Sequence, residues 1–390
     1  MGREKSISIQ NLLIYVTSLC NLGIIIGNPL KINNLVSVCT RVLIISIIIF
    51  ATIELMIKIK EKTTDTIIFS AYAFFIAVII VSIISGLTII INKYVSILCF
   101  LMIPSYIVLF YNNICTFDTR RIIYCFNYFY WIAFLYLNYS PLKHIGYSEW
   151  GTFQYDSLTL GYQNPNETGL MLFIPFIIML CAFSDAKGLL KKIFLGLPTV
   201  HLFYMILLTQ SRTCILLSIF IFLAYLCPKL LKISNKWIIL AFALPFLSMI
   251  FQILFPDFFE NIKILGESAD TGRINLWLAF YNSTSFFDLV FGDISTYGGA
   301  NMHNSYLSII ASFGIIVLIF FIIFLKKSYS YYYKLLQRDG PNSQKIAFWG
   351  MLCVIVHGCS EATFLVSGAV FAGLVGLLLI LALPDRSTSC

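Results

Sequence analysis

Long apolar runs recur from one end of the chain to the other and leave few folds open. "VLIISIIIFATIELMI", "FFIAVIIVSIISGLTIII", "FIPFIIMLCAF", "IIVLIFFIIFL" and "GAVFAGLVGLLLILAL" are five of them. A helix needs about 20 mostly apolar residues to cross roughly 30 Å of hydrocarbon. The runs are continuous instead of alternating with period two, which excludes a membrane β-barrel. Only 11% of the 390 residues are charged, against about a quarter in a soluble domain. Too few charges remain to coat a surface in water. The expected fold is an all-α polytopic membrane protein, one integral domain over 1–390.

Hydropathy places about twelve transmembrane helices near 10–27, 37–57, 67–91, 94–113, 122–140, 167–183, 193–210, 213–227, 237–255, 304–325, 346–361 and 364–383. The first, in "MGREKSISIQNLLIYV", follows a basic start and lacks a small-residue cleavage site, so it reads as a retained span. Lysine and arginine mark the cytoplasmic side. With the N-terminus inside, 19 of the 26 basic residues fall on inner segments. The other seven are Lys31, Arg41, Lys93, Lys143, Arg212, Lys263 and Arg273. Both termini are therefore expected in the cytoplasm. The net charge of +8 is a topology signal, and no nucleic-acid partner is implied.

Two outward connections are long, 141–166 and 256–302, and they hold most of the outward acids. Loops of this length usually carry function or are disordered; these are rich in aromatics and glycine, which favours folding against the membrane. Within the second, Ile274, Trp277, Leu278 and Tyr281 follow helical spacing. An amphipathic helix lying in the interface is expected there, with Asp270 and Thr271 as caps.

Ionisable groups at membrane depth are expensive and mark function by default. Arg212 sits in a tight hairpin, "LLTQSRTCILLSI". It reads either as a headgroup anchor or as a guanidinium fork for phosphate oxygens. Arg273 and Trp277 share a helix face, where they can anchor the interface or hold an anion and a sugar ring. His303, Asn304 and Tyr306 stand where the long loop enters span ten. His303 is either structural or a base able to work near neutral pH; Asn304 can cap the span or bind a hydroxyl. His357 and Glu361, four apart, read as a buried pair on one face of span eleven. Eleven cysteines include no C-x-x-C, and neither long loop holds one, so they read as small apolar residues and not as disulfides or zinc ligands. No Walker A loop, H-E-x-x-H or D-x-D is present, and no cofactor is expected.

Four stretches, in order, resemble the O-antigen polymerase and O-antigen ligase superfamily, the Wzy and WaaL type. They are "QNPNETG" before span six, "TQSRT" in mid-chain, "GRINLW" in the long loop and "HNSYLSIIASFG" opening the next span. The resemblance covers about 160–325. It implies a GT-C-like fold in a bacterial inner membrane and transfer of an oligosaccharide from undecaprenyl diphosphate to an acceptor hydroxyl, without metal or nucleotide. By that analogy Arg212 and Arg273 hold the diphosphate and His303 is the base, with Asn166, Trp277, Asn304, Tyr306 and Glu361 as substrate contacts. A chain-length regulator in the membrane is a further implied partner. The Ile- and Phe-rich body favours a polymerase over a ligase that moves polymer onto lipid A–core. A flippase or transporter is the alternative of another class, but no internal repeat is visible. One departure stands out: 141–166 holds Lys143 and no arginine, so a scheme with two equivalent arginine loops does not fit.

Overall fold

The computed structural model describes residues 2–61, 65–111, 113, 115–139, 147–148, 157–160, 162, 165–227, 234–256, 258, 263–264, 267–268, 273–297, 302–336, 341–361 and 368–384, without the side chains of 2–8, 87–92, 147–148 and 263–268. The described chain is helical almost throughout, with two short antiparallel hairpins, Tyr147–Ser148 with Ser157–Leu158 and Lys263–Ile264 with Glu267–Ser268. It forms a multi-pass bundle of apolar helices, with eight candidate membrane spans by length and composition.

In chain order the first five helices are α1 (Gly2–Gly27), α2 (Asn33–Lys60), α3 (Thr66–Ser85), α4 (Leu87–Phe110) and α5 (Phe117–Tyr139). After the first long connection come α6 (Pro165–Asp185), α7 (Leu189–Leu208), α8 (Arg212–Leu226) and α9 (Asn235–Leu254). The second long connection contains α10 (Arg273–Ser283), α11 (Phe286–Phe291) and α12 (Ile294–Tyr297). The bundle closes with α13 (Ser305–Leu336), α14 (Asn342–His357) and α15 (Gly368–Leu381). Each of the twelve expected spans overlaps one of these helices. The eight that meet length and apolarity together lie within α1 to α4, α6, α7, α9 and α13. Of the other four, α5 carries polar residues along its length, and α8, α14 and α15 are short.

Two of the short helices are central. Nearly every residue of α14 and α15 is buried, as is most of α6. Between helices in lipid, association depends on close packing instead of water exclusion, so small residues collect at contacts. A Cβ at Gly350 of α14 would stand 2.9 Å from Ile177 of α6, and one at Gly376 of α15 would stand 2.6 Å from the Tyr106 ring of α4.

Two boundaries differ from expectation for physical reasons. α3 stops at Ser85 because Gly86 adopts φ +95, open to glycine and closed to most side chains. α13 runs to Leu336, eleven residues beyond the expected end, and is kinked at Gly314 (φ +79). That kink seats the long loop. A Cβ at Gly314 would lie 2.1 Å from the Val290 carbonyl oxygen, and one at Gly292 would lie 2.5 Å from Phe313 N. The Asp293 amide donates to Ala311 O (2.8 Å) and Ser312 Oγ donates to Tyr297 O (2.8 Å). Gly314 is nine residues along α13 from Ser305, about 14 Å at 1.5 Å per residue. The loop therefore packs down the side of α13 as well as over its end. Phe286 and Phe287 stay exposed, at 82% and 55%, as suits rings facing lipid.

Candidate functional site

The end of the bundle that carries α10 to α12 is termed the loop end. Three helix starts and one helix stop bring polar residues together there. α7 and α8 are joined by only three residues, 209–211, and Gln210 adopts a left-handed backbone (φ +56) to close the turn. Arg212 is thus the first residue of α8, half-buried. The start of α8 lies tight against the start of α6: a Cβ at Gly169 would meet Ser211 at 2.8 Å and Cys214 Sγ at 3.1 Å. Asn166, one turn before Gly169, is carried to the same place.

His303 immediately precedes α13 and also has a left-handed backbone, φ +51. Such a conformation is uncommon outside glycine, although histidine is among the residues enriched there. Two neighbours fix it from the loop side and the helix side. Trp277 Nε1 donates to Met302 O (2.7 Å), and Met302 N donates to Ser308 Oγ (3.1 Å). Asn304 caps α13, its Oδ1 accepting from Tyr306 N (3.0 Å) and Leu307 N (3.2 Å). Its Nδ2 donates to Pro245 O (2.9 Å), and Tyr306 Oη donates to Phe242 O (3.0 Å), so both residues tie α13 to α9.

The chain after α14 completes the cluster. α14 stops at His357, and Gly358 and Ser305 exchange close contacts: Ser305 N donates to Gly358 O (2.9 Å) and Ser305 Oγ to Glu361 O (2.9 Å). A Cβ at Gly358 would meet Ser305 Oγ at 2.8 Å. This lacing sets the Glu361 carboxylate across His303 Nδ1, with Oε2 at 3.3 Å and Oε1 at 3.4 Å. Asn166 Nδ2 donates to the same Oε1 (2.8 Å) across 195 residues of sequence. The Glu361 side chain is 10% exposed and that of His303 37%, so the carboxylate is sheltered and the imidazole reachable.

Two expectations are corrected. His357 and Glu361 are not paired along one helix face, because α14 ends at His357 and Glu361 follows in the turn. His357 instead meets Cys214 Sγ through Nε2 (3.4 Å) and is fully buried. On α10 the buried face is Ile274, Trp277 and Phe280, while Leu278 (42%) and Tyr281 (78%) are exposed. The helix turns its face toward Met302 and Tyr297, whose ring meets Phe280 edge-on at 5.3 Å. Trp277, Asn304 and Tyr306 were expected against substrate. They are at most 2% exposed, with their polar atoms bonded within the protein. Their geometry supports holding His303 in place. The caps Asp270 and Thr271, and Lys143 in the first long connection, lie outside the described residues.

Arg273 begins α10 and is half-buried. Nearby, Asp293 caps α12. Burial alone would raise its carboxyl, but hydrogen bonds from Ser295 and Thr296 outweigh that and hold it below the usual 3.8. The loop end therefore carries two arginines at helix starts and a partly exposed imidazole paired with a sheltered carboxylate. This set can bind an anion and move a proton. Sequence reasoning missed the His303–Glu361–Asn166 junction; its one signal was three polar residues at the loop-end limits of three different spans.

No protein-family model matches the chain, and no curated protein sequence matches it.

Proposed function

We propose that this protein is a polymerase that joins undecaprenyl-diphosphate-linked oligosaccharide units into a surface polysaccharide, O-antigen or capsule. In this reading all twelve apolar helices cross a bacterial inner membrane, both termini face the cytoplasm and the loop end faces outward. The observation that carries it is the convergence of Asn166, His303 and Glu361 on one another. Arg212 and Arg273 open α8 and α10 at the same end of the bundle.

The chemistry follows from what such a transfer needs. A sugar hydroxyl is a weak nucleophile, and a positioned base near neutrality speeds its attack by about 10²–10⁴-fold. His303 takes the hydroxyl proton as the oxygen bonds to the anomeric carbon. The anomeric C–O bond to the diphosphate breaks, and its electron pair leaves with the diphosphate. One displacement inverts the anomeric carbon. Arg212 and Arg273 offset the negative charge of the leaving group, and such charge stabilisation in a dry site is often the larger contribution. The exposed apolar residues of α10 and α11, Leu278, Phe286 and Phe287, suit a site that meets its donor at the membrane surface.

Deletion in the native host, with gel analysis of the surface polysaccharide, tests the reading. A polymerase loss leaves acceptor capped with a single repeat unit, and the wild-type gene restores long chains. Bare acceptor with accumulated lipid-linked polymer would instead identify a ligase. Repeat units stranded on the inner leaflet would identify a flippase.

A further inference from the structure

We propose that Glu361 is the positioning residue of His303. Its carboxylate holds the proton on Nδ1, which makes Nε2 the unprotonated nitrogen and the one that takes the substrate proton, and Asn166 fixes the carboxylate in turn. The role in the reaction rests on the glycosyl-transfer reading above; the tautomer assignment does not.

Both carboxylate oxygens of Glu361 lie within 3.4 Å of Nδ1. A carboxylate in that position accepts from an N–H and cannot donate to a bare nitrogen. The neutral ring then carries its hydrogen on Nδ1. Which nitrogen of a histidine is free is generally set by the bond the other one makes. Glu361 is itself held at two points, its Oε1 by Asn166 Nδ2 (2.8 Å) and its carbonyl by Ser305 Oγ (2.9 Å). Those bonds come from α6 and α13, so the carboxylate is aimed by two helices far apart in sequence.

An ordinary structural ion pair looks different in the same molecule. Glu54 and Lys58 (3.3 Å) sit one turn apart on a regular helix. His303 instead stands on a left-handed backbone, in the junction between a long loop and a span. Strained backbone of this kind is stored where the surroundings over-determine a functional geometry. The sheltered carboxylate behind a reachable imidazole has the arrangement of the carboxylate–histidine pairs that orient general bases. When the ring takes the substrate proton, the adjacent carboxylate also stabilises the imidazolium that forms.

The chain has four histidines, so histidine-selective ¹⁵N NMR of the full-length protein in lipid nanodiscs gives a countable spectrum. The His303 signals are assigned by their loss in His303→Ala. At about pH 8.5, where histidine is ordinarily neutral, the wild-type His303 ring is expected as the Nδ1–H form. The Nε2–H form should appear in Glu361→Leu. A wild-type ring protonated on Nε2 overturns the proposal, whatever any variant does. In a transfer assay, Glu361→Gln should lower kcat about 10–100-fold, the range typical for outer-shell partners of a functional histidine, with KM nearly unchanged. Glu361→Asp should recover part of the loss. A rise in KM at constant kcat would show that Glu361 binds substrate directly and would overturn positioning. An Nδ1–H tautomer in a protein with no detectable transfer would leave the positioning intact and remove the polymerase reading.

Discussion

The two ends of the bundle use similar groups to opposite effect. At the end remote from the long loop, Arg120 of α5 donates to Asp185 of α6 (3.4 Å) and to Ser343 of α14 (3.1 Å). Tyr124 Oη donates to the same carboxylate (2.8 Å). The Arg120 side chain is 5% exposed, and the residues involved lie in or at the ends of regular helices. At the loop end the imidazole–carboxylate pair of His303 and Glu361 leaves its imidazole reachable. All four described non-glycine residues with a left-handed backbone, Lys31, Leu160, Gln210 and His303, lie in connections at that end. A buried charge pair built into regular structure clamps helices. The same chemistry placed on strained connections, half open to its surroundings, is what a working site requires.

Crossed substitutions at the two ends should separate these roles most widely. His303→Ala should lower transfer by about 10²–10⁴-fold, the usual contribution of a general base, with a thermal midpoint in detergent close to wild type. Arg273→Lys keeps the charge and loses only the planar fork, so it should lose polymer formation while inserting normally. Arg120→Met should do the reverse. Removing one partner of a buried pair costs about 3 kcal/mol, the lower end of the range because Asp185 keeps some solvent contact. The surviving folded protein should retain its turnover. An inactive but stable Arg120→Met, or an unfolded His303→Ala, would break the comparison.

The next largest effect concerns how the loop is held. Gly314→Ala places a Cβ about where the Val290 carbonyl now sits and puts alanine at φ +79. Overpacking of this kind typically costs about 1–3 kcal/mol. Because the strain falls on the contact between α11 and α13, the loop should become accessible to protease before the bundle unfolds. Limited proteolysis of Gly314→Ala against wild type reads this directly. Equal protection of the 284–297 segment would show that the kink does not anchor the loop.

These contrasts also explain which parts of the molecule can be read from sequence. Hydrocarbon leaves backbone groups no water to bond, so spans announce themselves as apolar runs, and every expected span overlaps a helix. The hairpin that sets Arg212 at the start of α8 is legible for a similar reason: three residues between two apolar runs leave it no other place. The pairing of Glu361 was not legible. Helical spacing joins it to His357, and only the fit of Gly358 against Ser305 ends the helix first. Helical spacing also offered Leu278 and Tyr281 for the buried face of α10. The helix docks through Phe280 because Tyr297 and Met302 stand on that side, a contact that exists only once the loop has folded. The kink at Gly314 has the same character, since nothing in "IIASFGIIVL" shows that another segment will need the space.

A smaller loss is expected from the cap that sets His303 at its helix start. Asn304→Ala removes the acceptor for two amides, which typically costs about 0.5–2 kcal/mol, and the bond to Pro245 O as well. Asn304→Asp keeps the cap and loses the donor to α9. If the cap matters mainly by placing His303, Asn304→Asp should retain more turnover than Asn304→Ala at similar stability. The two variants compared in one transfer assay decide whether the geometry or the inter-helix bond governs the loop end.

The smallest effect is the one that depends on pH. Asp293 titrates below the usual 3.8 because the hydrogen bonds from Ser295 and Thr296 outweigh burial. A carboxyl whose folded value is depressed stabilises the native form when charged. Its contribution is therefore complete above about 3.8 and is lost as pH falls through the lower folded value. The cap holds only the four residues of α12, so the loss should stay under about 1 kcal/mol and local. Hydrogen exchange of the 294–297 amides should rise in acid relative to the α14 amides, which serve as an internal reference. Asp293→Asn keeps an acceptor at the cap and removes the charge, so its exchange should lose that dependence on pH. If wild type and Asp293→Asn respond to acid alike, the carboxylate contributes nothing to seating α12 against α13. The loop would then be held by its other contacts, among them the Gly292–Gly314 packing, the Asp293 amide on Ala311 O and the Ser312–Tyr297 bond.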